Sequence, residues 1–255
     1  MIQDIKKIAL VTGSSRGLGK NTALALVKKE VDVIVTYRSS EAEANNVVSE
    51  IADIGGKAVA LQLDTSNTKT FDNFVERFEQ SLQDTWQTGQ FDFLINNAGI
   101  GINAPFIETT EEDFDRLFNI QVKGVFFLSQ KLLPLIKDEG RIVNISSGLA
   151  RFSLPGYAAY ASAKGAVEVL TRYMAKELGQ RQIRVNVLAP GAIETDFAGG
   201  VVRDTEEINN FIASQTALGR VGVPDDIGGA IATLLSEENR WINGQRIEVS
   251  GGMFL

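Results

Sequence analysis

Short apolar runs alternate with amphipathic segments along the chain. The first three runs read KIALVTG, VDVIVTY and AVALQLD, and the segments that follow them read LGKNTALALVKKE, AEANNVVSEIADIG and FDNFVERFEQSLQ. Each run has the length of a strand, and each segment has the apolar spacing of a helix. Continuous apolar strands between amphipathic helices predict a parallel sheet that is covered on both faces.

The alternation continues through the second half of the chain. Further strands are predicted in FDFLINNAG, GRIVNISS and IRVNVLAP, with helices over about 111–136 and 160–179. The predicted fold class is α/β, a doubly wound parallel sheet sandwich of Rossmann type, whose ligands bind at the carboxyl ends of the strands. No linker, charge block or repeat interrupts the series, so residues 1–255 are expected to form a single domain.

One segment departs from this rhythm. Residues 194–216 contain FAGG followed by a polar amphipathic stretch. The segment is interpreted as a mobile substrate lid over the crevice, and a plain surface excursion is the alternative.

Composition limits the chemistry. The 255 residues are 44% hydrophobic and include no Cys and no His. Disulfides and thiolate sites are therefore excluded, a zinc-dependent mechanism is not expected, and no metal site is predicted, although carboxylates remain able to hold magnesium. Without His or Cys, a hydroxyl acid or a carboxylate must carry any catalytic proton.

Charge and hydropathy bear on partners and location. The net charge of −7 argues against nucleic acid as a partner. The N-terminal apolar run is too short for a signal peptide, and no later stretch reaches about 18 apolar residues. We expect a cytoplasmic protein with no membrane partner.

The stretch TGSSRGLG follows the first strand and opens the first helix. Its glycines allow a tight turn, close approach of the backbone to a pyrophosphate, and phosphate binding at the helix N-terminus. The spacing G-x-x-x-G-x-G is neither the G-x-G-x-x-G fingerprint nor a P-loop, and plain turn chemistry is the alternative. The cofactor-binding residues predicted here are Gly13, Ser15, Arg16, Gly17, Leu18 and Gly19.

The end of the second strand reads VIVTYRSS, with Tyr37 and Arg38 where an acidic residue would bind an adenosine ribose. Arg38, together with Arg16 from the glycine turn, could provide two guanidinium groups that bind a 2′-phosphate on this ribose. Each arginine alone is more often a solvated surface charge. Together they favour NADP(H) as the cofactor.

Polar residues also follow the third and fourth strands. Asp64 and Thr65 end the third run, and Asn97 and Gly99 belong to INNAG after the fourth. Such side chains could bind adenine and ribose, and Asx turns that close the strands are the alternative.

Tyr160 and Lys164 are four residues apart in a predicted helix, so they share a face. A phenol with a pKa near 10 needs a shift of about 3 units, or about 4 kcal/mol, to act near neutral pH. One ammonium about 4 Å away supplies that order of energy. We therefore predict that Lys164 lowers the pKa of Tyr160.

Ser147 ends the fifth predicted strand and precedes Tyr160 by 13 positions. Its hydroxyl could donate to a carbonyl oxygen and stabilise a developing alkoxide. A serine hydrolase is not expected because no histidine is present, whereas a Ser-Lys hydrolase remains an alternative.

The joint order of these motifs resembles the short-chain dehydrogenase/reductase family, in its single-domain branch. The likeness runs from Lys7 to Gly252 and includes TGSSRGLG, NNAG, Ser147, YASAK, APGAIETD and INGQRIEVSGG. It implies that Ser147 orients the substrate carbonyl and that Tyr160 exchanges the proton with it. It also implies that Lys164 lowers the pKa of Tyr160 and holds the nicotinamide ribose. It also implies cofactor contacts by Asn97, Pro190, Ile193 and Thr195, and a homotetramer assembled through helices around 111–136 and 157–179.

The resemblance implies an NADP-dependent oxidoreductase that moves hydride between the nicotinamide and a carbonyl or secondary alcohol. The sequence is most similar to 3-oxoacyl-carrier-protein reductases and related ketone reductases, so the substrate is a small ketone, sugar or polyol, or a carrier-bound 3-oxoacyl group. A carrier would need a basic patch, for which the scattered candidates are Lys123, Arg151, Arg172 and Arg181. The alternative function is a nucleotide-binding regulatory protein of the same fold without turnover.

One position departs from the family pattern N-x-K-G, whose asparagine helps to hold a water that links the active-site lysine to solvent. The segment reads LFNIQVKGVFF, which places Gln121 at the asparagine position. Asn119 is two residues earlier, about 200° away on a helix, and should face away from the site. Gln121 is therefore predicted to take the place of the asparagine in the proton relay, the water-mediated path between the active-site lysine and solvent. The alternatives are that a backbone carbonyl holds the water, or that the pocket is reshaped.

Overall fold

The computed structural model describes residues 6–255; the start of the N-terminal segment discussed above, residues 1–5, lies outside them. Its core is a seven-stranded parallel sheet in the order β3-β2-β1-β4-β5-β6-β7. The strands are β1 (Lys7–Val11), β2 (Val31–Tyr37), β3 (Ala58–Gln62), β4 (Phe91–Asn96), β5 (Ile136–Ile145), β6 (Arg184–Pro190) and β7 (Arg246–Val249). The predicted fold class, a doubly wound single domain of Rossmann type, is confirmed.

Helices cover both faces of this sheet. They are α1 (Gly17–Val27), α2 (Glu41–Asp53), α3 (Phe71–Trp86), α4 (Glu111–Phe118), α5 (Gly124–Leu132), α6 (Ala158–Glu177), α7 (Val201–Asp204), α8 (Glu206–Ser214) and α9 (Pro224–Leu234). Alternate residues of β1 enter two different cores: Ala9 and Val11 pack with α1, α2 and α9, whereas Ile8 and Leu10 pack with α3, α5 and α6. Because both faces are buried, the strands read as continuous apolar runs.

The long helix predicted over 111–136 is interrupted. A π-helical turn at Asn119–Lys123 separates α4 from α5, and Ile136 already belongs to β5. A π turn adds a residue to the turn without changing which positions are apolar, so the sequence pattern does not reveal it.

The edge strand β7 and the helix α9 were not predicted, and α7 and α8 form part of the segment 194–216 that was interpreted as a lid. The sequence of β7, RIEV, alternates charged and apolar residues instead of forming an apolar run, and β7 pairs with β6 alone among the described strands. Within residues 6–255, no helix combines the length and the apolar character that crossing a membrane requires.

Candidate active site

The strand order reverses between β1 and β4, and a cavity of about 770 Å³ lies at the carboxyl ends of the strands. Every residue predicted to contact the cofactor lines it, as do Ser147, Tyr160 and Lys164. Gln121 does not line the wall. Across residues 6–255, no group of three or more carboxylates is arranged to hold a metal ion.

The glycine turn forms one end of the cavity. Gly13 and Gly17 have positive φ angles of 64° and 55°, which favour glycine. A Cβ on Gly13 would lie 3.1 Å from the Cα of Ala98, and one on Gly19 would collide with the carbonyl of Gly13. The N-terminus of α1 opens beside this cradle, so the residues present fit a bound pyrophosphate.

The two arginines reach the same end. Arg16 and Arg38 are exposed and line the cavity, and neither forms a salt bridge with any residue between 6 and 255. Sequence reasoning missed the hydroxyls of Ser39 and Ser40 and the carboxylate of Glu43, which line this end too. The donors fit a 2′-phosphate, whereas Glu43 would oppose it.

Asn97 and Asp64 are used in turns. The Asn97 side-chain amide donates to the carbonyls of Thr12 and Gly13, at 2.8 and 3.2 Å, and so braces the glycine turn. The Asp64 carboxylate accepts from the backbone N–H and the hydroxyl of Ser66, at 2.9 and 2.6 Å. The Asp64 contact is the local Asx turn that was the alternative, whereas Asn97 binds a distant segment, the glycine turn; both residues also line the cavity.

The opposite end holds the predicted catalytic residues. Ser147 follows β5 by two residues, in extended conformation, instead of ending the strand. Tyr160 and Lys164 lie one turn apart on α6 and are 6% and 5% exposed. The Lys164 Nζ donates to the Ile145 carbonyl at 2.9 Å and lies 5.7 Å from the centre of the Tyr160 ring. The three groups thus converge from β5 and α6.

The pKa values contradict one expectation. Burial raises the pKa of Tyr160 to about 12, although a hydrogen bond from Ser147 acts in the opposite direction. Burial also lowers the pKa of Lys164 to about 7. The pKa of Tyr160 is therefore shifted opposite to the predicted direction in the protein alone, because burial of the phenol outweighs the groups around it.

Gln121 lies behind the cavity wall, in the π turn, and is 1% exposed. Its Nε2 donates to the Ile100 carbonyl at 3.2 Å, and its buried Oε1 has no partner among the described residues. A Cβ on Gly99 would lie 3.4 Å from this Oε1 and 3.6 Å from the Lys164 Nζ. An unused acceptor and the lysine ammonium therefore border the same small space.

A charged network missed by sequence reasoning supports Ser147. The hydroxyl of the preceding Ser146 donates to Glu168 at 2.7 Å. Arg246 of β7 donates to Glu168 and Glu248, each at 2.7 Å, and to the Ser147 carbonyl at 3.3 Å. The only signal in the sequence is the alternation of charges in RIEV, so this role of the edge strand could not be predicted from spacing alone.

The cavity wall beyond Tyr160 is largely apolar. Its side chains come from the loop after β5, from the segment 194–216 and from the C-terminus, and sequence reasoning singled out none of them. They include Leu149, Phe152, Leu154, Tyr157, Phe197, Val202, Ile212 and Met253. A substrate bound against Tyr160 therefore meets an apolar, partly aromatic surface.

The sequence is similar to known reductases over nearly its whole length. Residues 13–254 match the family model described as Enoyl-(Acyl carrier protein) reductase. The chain is also 39% identical over 257 residues to the hydroxynaphthalene reductase-like protein Arp2 of Metarhizium majus, and the alignment covers 96% of this chain and 94% of the relative.

Solved structures agree over nearly the full length. The promiscuous reductase LugOII, which catalyses keto-reduction at C1 during lugdunomycin biosynthesis, superimposes with a TM-score of 0.93 at 37% identity, covering 98% of each chain. The angucycline C-6 ketoreductase LanV with bound NADP gives a TM-score of 0.92 at 34% identity, covering 97% of this chain and 95% of LanV. The chain therefore belongs to the short-chain dehydrogenase/reductase family and is an NAD(P)-dependent reductase.

Proposed function

We propose that this protein uses NADPH to reduce the carbonyl group of a cyclic aromatic ketone to a secondary alcohol. The observation that carries the proposal is the cavity itself: a phosphate cradle with two arginines lies at one end, and Ser147, Tyr160 and Lys164 lie at the other. The apolar wall beside Tyr160 suits a ring system, and the hydroxynaphthalene reductase-like relative and LugOII support this substrate class.

The residues divide the chemistry between them. NADPH, when bound, supplies the hydride that the carbonyl carbon receives. The Ser147 hydroxyl donates to the carbonyl oxygen and orients it, and the Tyr160 hydroxyl transfers its proton to that oxygen as the alcohol forms. Ile193 and Thr195 would hold the nicotinamide end, whereas Pro190 and Gly99 supply backbone surface. The Lys164 ammonium would hold the nicotinamide ribose.

Gln121 extends the proton path in this proposal. After Tyr160 gives up its proton, Lys164 is the nearest group on the same helix face that can restore it. The free Oε1 of Gln121 borders the same space as the Lys164 ammonium, so it can accept a hydrogen bond from a water placed there. The longer amide would thus do the work of the family's asparagine.

Preference for NADPH over NADH is tested at Arg38. We expect Arg38→Ala to weaken NADPH binding by about ten- to a hundredfold, the effect of losing about 1–3 kcal/mol of charged hydrogen bonding, and to leave NADH binding unchanged. Calorimetric titration with both cofactors measures this. Arg172→Ala, an exposed arginine of α6 outside the cavity, is the control. Equal affinity of the native protein for both cofactors would refute the preference.

A carrier-bound 3-oxoacyl substrate is less well supported. Of the basic residues considered for docking, Arg151 binds Glu248 and Arg181 binds Asp138, each pair at 2.7 Å. The charges of these two arginines are neutralised locally, which leaves Lys123 and Arg172 as the candidates without a salt bridge among residues 6–255. A regulatory protein without turnover would bind NADPH yet reduce none of a panel of ketones, and that result would replace the proposed function.

We also propose a lid and a homotetramer. Residues 194–216 contribute Phe197, Val202 and Ile212 to the cavity, as a substrate lid would. Apolar side chains on α5 and α6, including Phe126 and Tyr173, are exposed by 45% and 65%, which suits burial against further copies of the chain. Light scattering of the purified protein measures the number of copies.

A further inference from the structure

Phe197 lies directly against the catalytic tyrosine. The centre of its ring is 5.9 Å from that of Tyr160, with 60° between the ring planes. The side chain is nevertheless 43% exposed and lines the cavity. One face of Phe197 is therefore available to a ligand at the place where the carbonyl must meet the Tyr160 hydroxyl.

The position of this ring depends on Gly101. A Cβ on Gly101 would lie 2.6 Å from Cε1 and 2.7 Å from Cζ of Phe197, so even an alanine would push the ring away. Gly101 belongs to the loop after β4, and Phe197 to the loop after β6. The contact thus bridges two loops across the carboxyl ends of the strands.

The backbone after Phe197 adopts an uncommon conformation. The three residues that follow it, Ala198, Gly199 and Gly200, all have positive φ angles, of 52°, 79° and 78°. Just before it, Asp196 is bound by Arg203 at 2.6 Å. A left-handed turn on one side and an ion pair on the other thus flank Phe197 in the sequence DFAGG.

We propose that Phe197, seated on Gly101, is the specificity-determining residue that makes the enzyme prefer a planar ring next to the reacting carbonyl over a puckered ring of the same size. The proposal rests on the ketone reductase function above and names the substrate feature that function selects. A flat ring can pack against the face or edge of Phe197, whereas a saturated bicycle is thicker and gains no aromatic contact.

Paired ligands with the same carbon skeleton test this. Calorimetry with the protein and NADP⁺ compares 2-naphthol, which is planar, with decahydro-2-naphthol, which is puckered. Turnover with NADPH compares 2-tetralone with 2-decalone. We expect the native protein to prefer the aromatic member of each pair, and Phe197→Leu to reduce that preference by about fivefold, as expected for one lost aromatic contact.

Two further variants test the same contact, and a third serves as the control. Gly101→Ala should reduce the preference in the same way, and the Gly101→Ala/Phe197→Leu double variant should lose no more than the single variants, because both changes remove one contact. Phe211→Leu changes a lid phenylalanine that does not line the cavity and should retain the native preference.

The outcomes separate the two claims. A Phe197→Leu protein that keeps the native preference for 2-naphthol overturns the inference, as does a native protein without such a preference. Absence of turnover with both ketones would instead contradict the proposed function, while the calorimetric preference would still decide the role of Phe197.

Discussion

At the scale of single residues, the site places an ionisable group where the fold destabilises its charged form. Lys164 is buried on α6, and burial lowers its pKa from 10.5 to about 7. Between these values the unfolded chain binds more protons than the folded one, so this residue makes the protein more stable as pH rises through the window. Below pH 7 both states are protonated, and the folded state retains the full desolvation cost.

Lys164→Met should therefore stabilise the protein in the absence of cofactor. We expect the gain in the free energy of unfolding to be larger at pH 6 than at pH 9 by about 2 kcal/mol, since part of the cost is relieved when the lysine loses its proton. Urea unfolding at the two pH values measures it. Lys123→Met, an exposed lysine of the π turn, is the control, and an equal effect of both substitutions at both pH values would show that Lys164 keeps an ordinary pKa.

The sequence identified residues better than it identified their electrostatics. Apart from Gln121, the predicted cofactor and catalytic side chains line one cavity, because they follow parallel strands or lie in the first two turns of a helix at the same sheet edge. The pKa of Tyr160 was predicted in the wrong direction because the expectation counted the neighbouring charge of Lys164 and omitted the burial of both groups. Burial is a property of the packed fold and has no local sequence signal.

At the scale of elements, the edge strand β7 connects the end of the chain to Ser147. Arg246 reaches the Ser147 carbonyl at 3.3 Å while it bridges Glu168 of α6 and Glu248 of its own strand. The Glu248 carboxyl accepts from Arg151 as well, and this contact lowers its pKa to about 2. The Arg246–Glu248 pair therefore stays charged across the neutral pH range.

Arg246→Met should release the Ser147 backbone without touching the cofactor end. We expect kcat to fall by about tenfold, corresponding to one lost hydrogen bond to a charged donor, with the Kd for NADPH unchanged. Arg246→Lys should restore part of kcat, since it keeps a cation near Glu168. Steady-state kinetics and cofactor titration of both variants provide the test; equal losses in kcat and NADPH affinity would indicate general disruption of the site instead.

The helix that carries Gln121 shows where pattern reasoning stops. Its apolar spacing predicted one continuous helix, and the π turn between α4 and α5 cannot be seen in that spacing. The turn nevertheless places the Gln121 amide behind Gly99, beside Lys164. Counting from the Lys-Gly pair pointed to Gln121, which does lie near Lys164, whereas the shape of the backbone required the structure.

At the scale of the whole molecule, the fold was predictable because one physical constraint acts along the entire chain. A parallel sheet covered on both faces needs strands that are apolar at every position, and the first six strands satisfy this over most of their length. The seventh strand escaped prediction because its alternate residues are charged and bind one another and α6. The individual residues of the apolar wall beyond Tyr160 were also missed, since they come from loops and from the short helices α7 and α8 of the segment 194–216.

In the proposed function, the protein reduces a ketone with NADPH, and Tyr160 is the proton donor. The most direct test is NADPH oxidation with 2-tetralone by the native protein, Tyr160→Phe and the control Tyr157→Phe, a neighbouring phenol that also lines the cavity. We predict that Tyr160→Phe lowers turnover by about a thousandfold, the order supplied by general acid catalysis, while NADPH binding stays within about twofold of native and Tyr157→Phe remains active. A folded Tyr160→Phe protein that binds NADPH and keeps roughly a third of native turnover would contradict the claim, because general acid catalysis supplies far more than that.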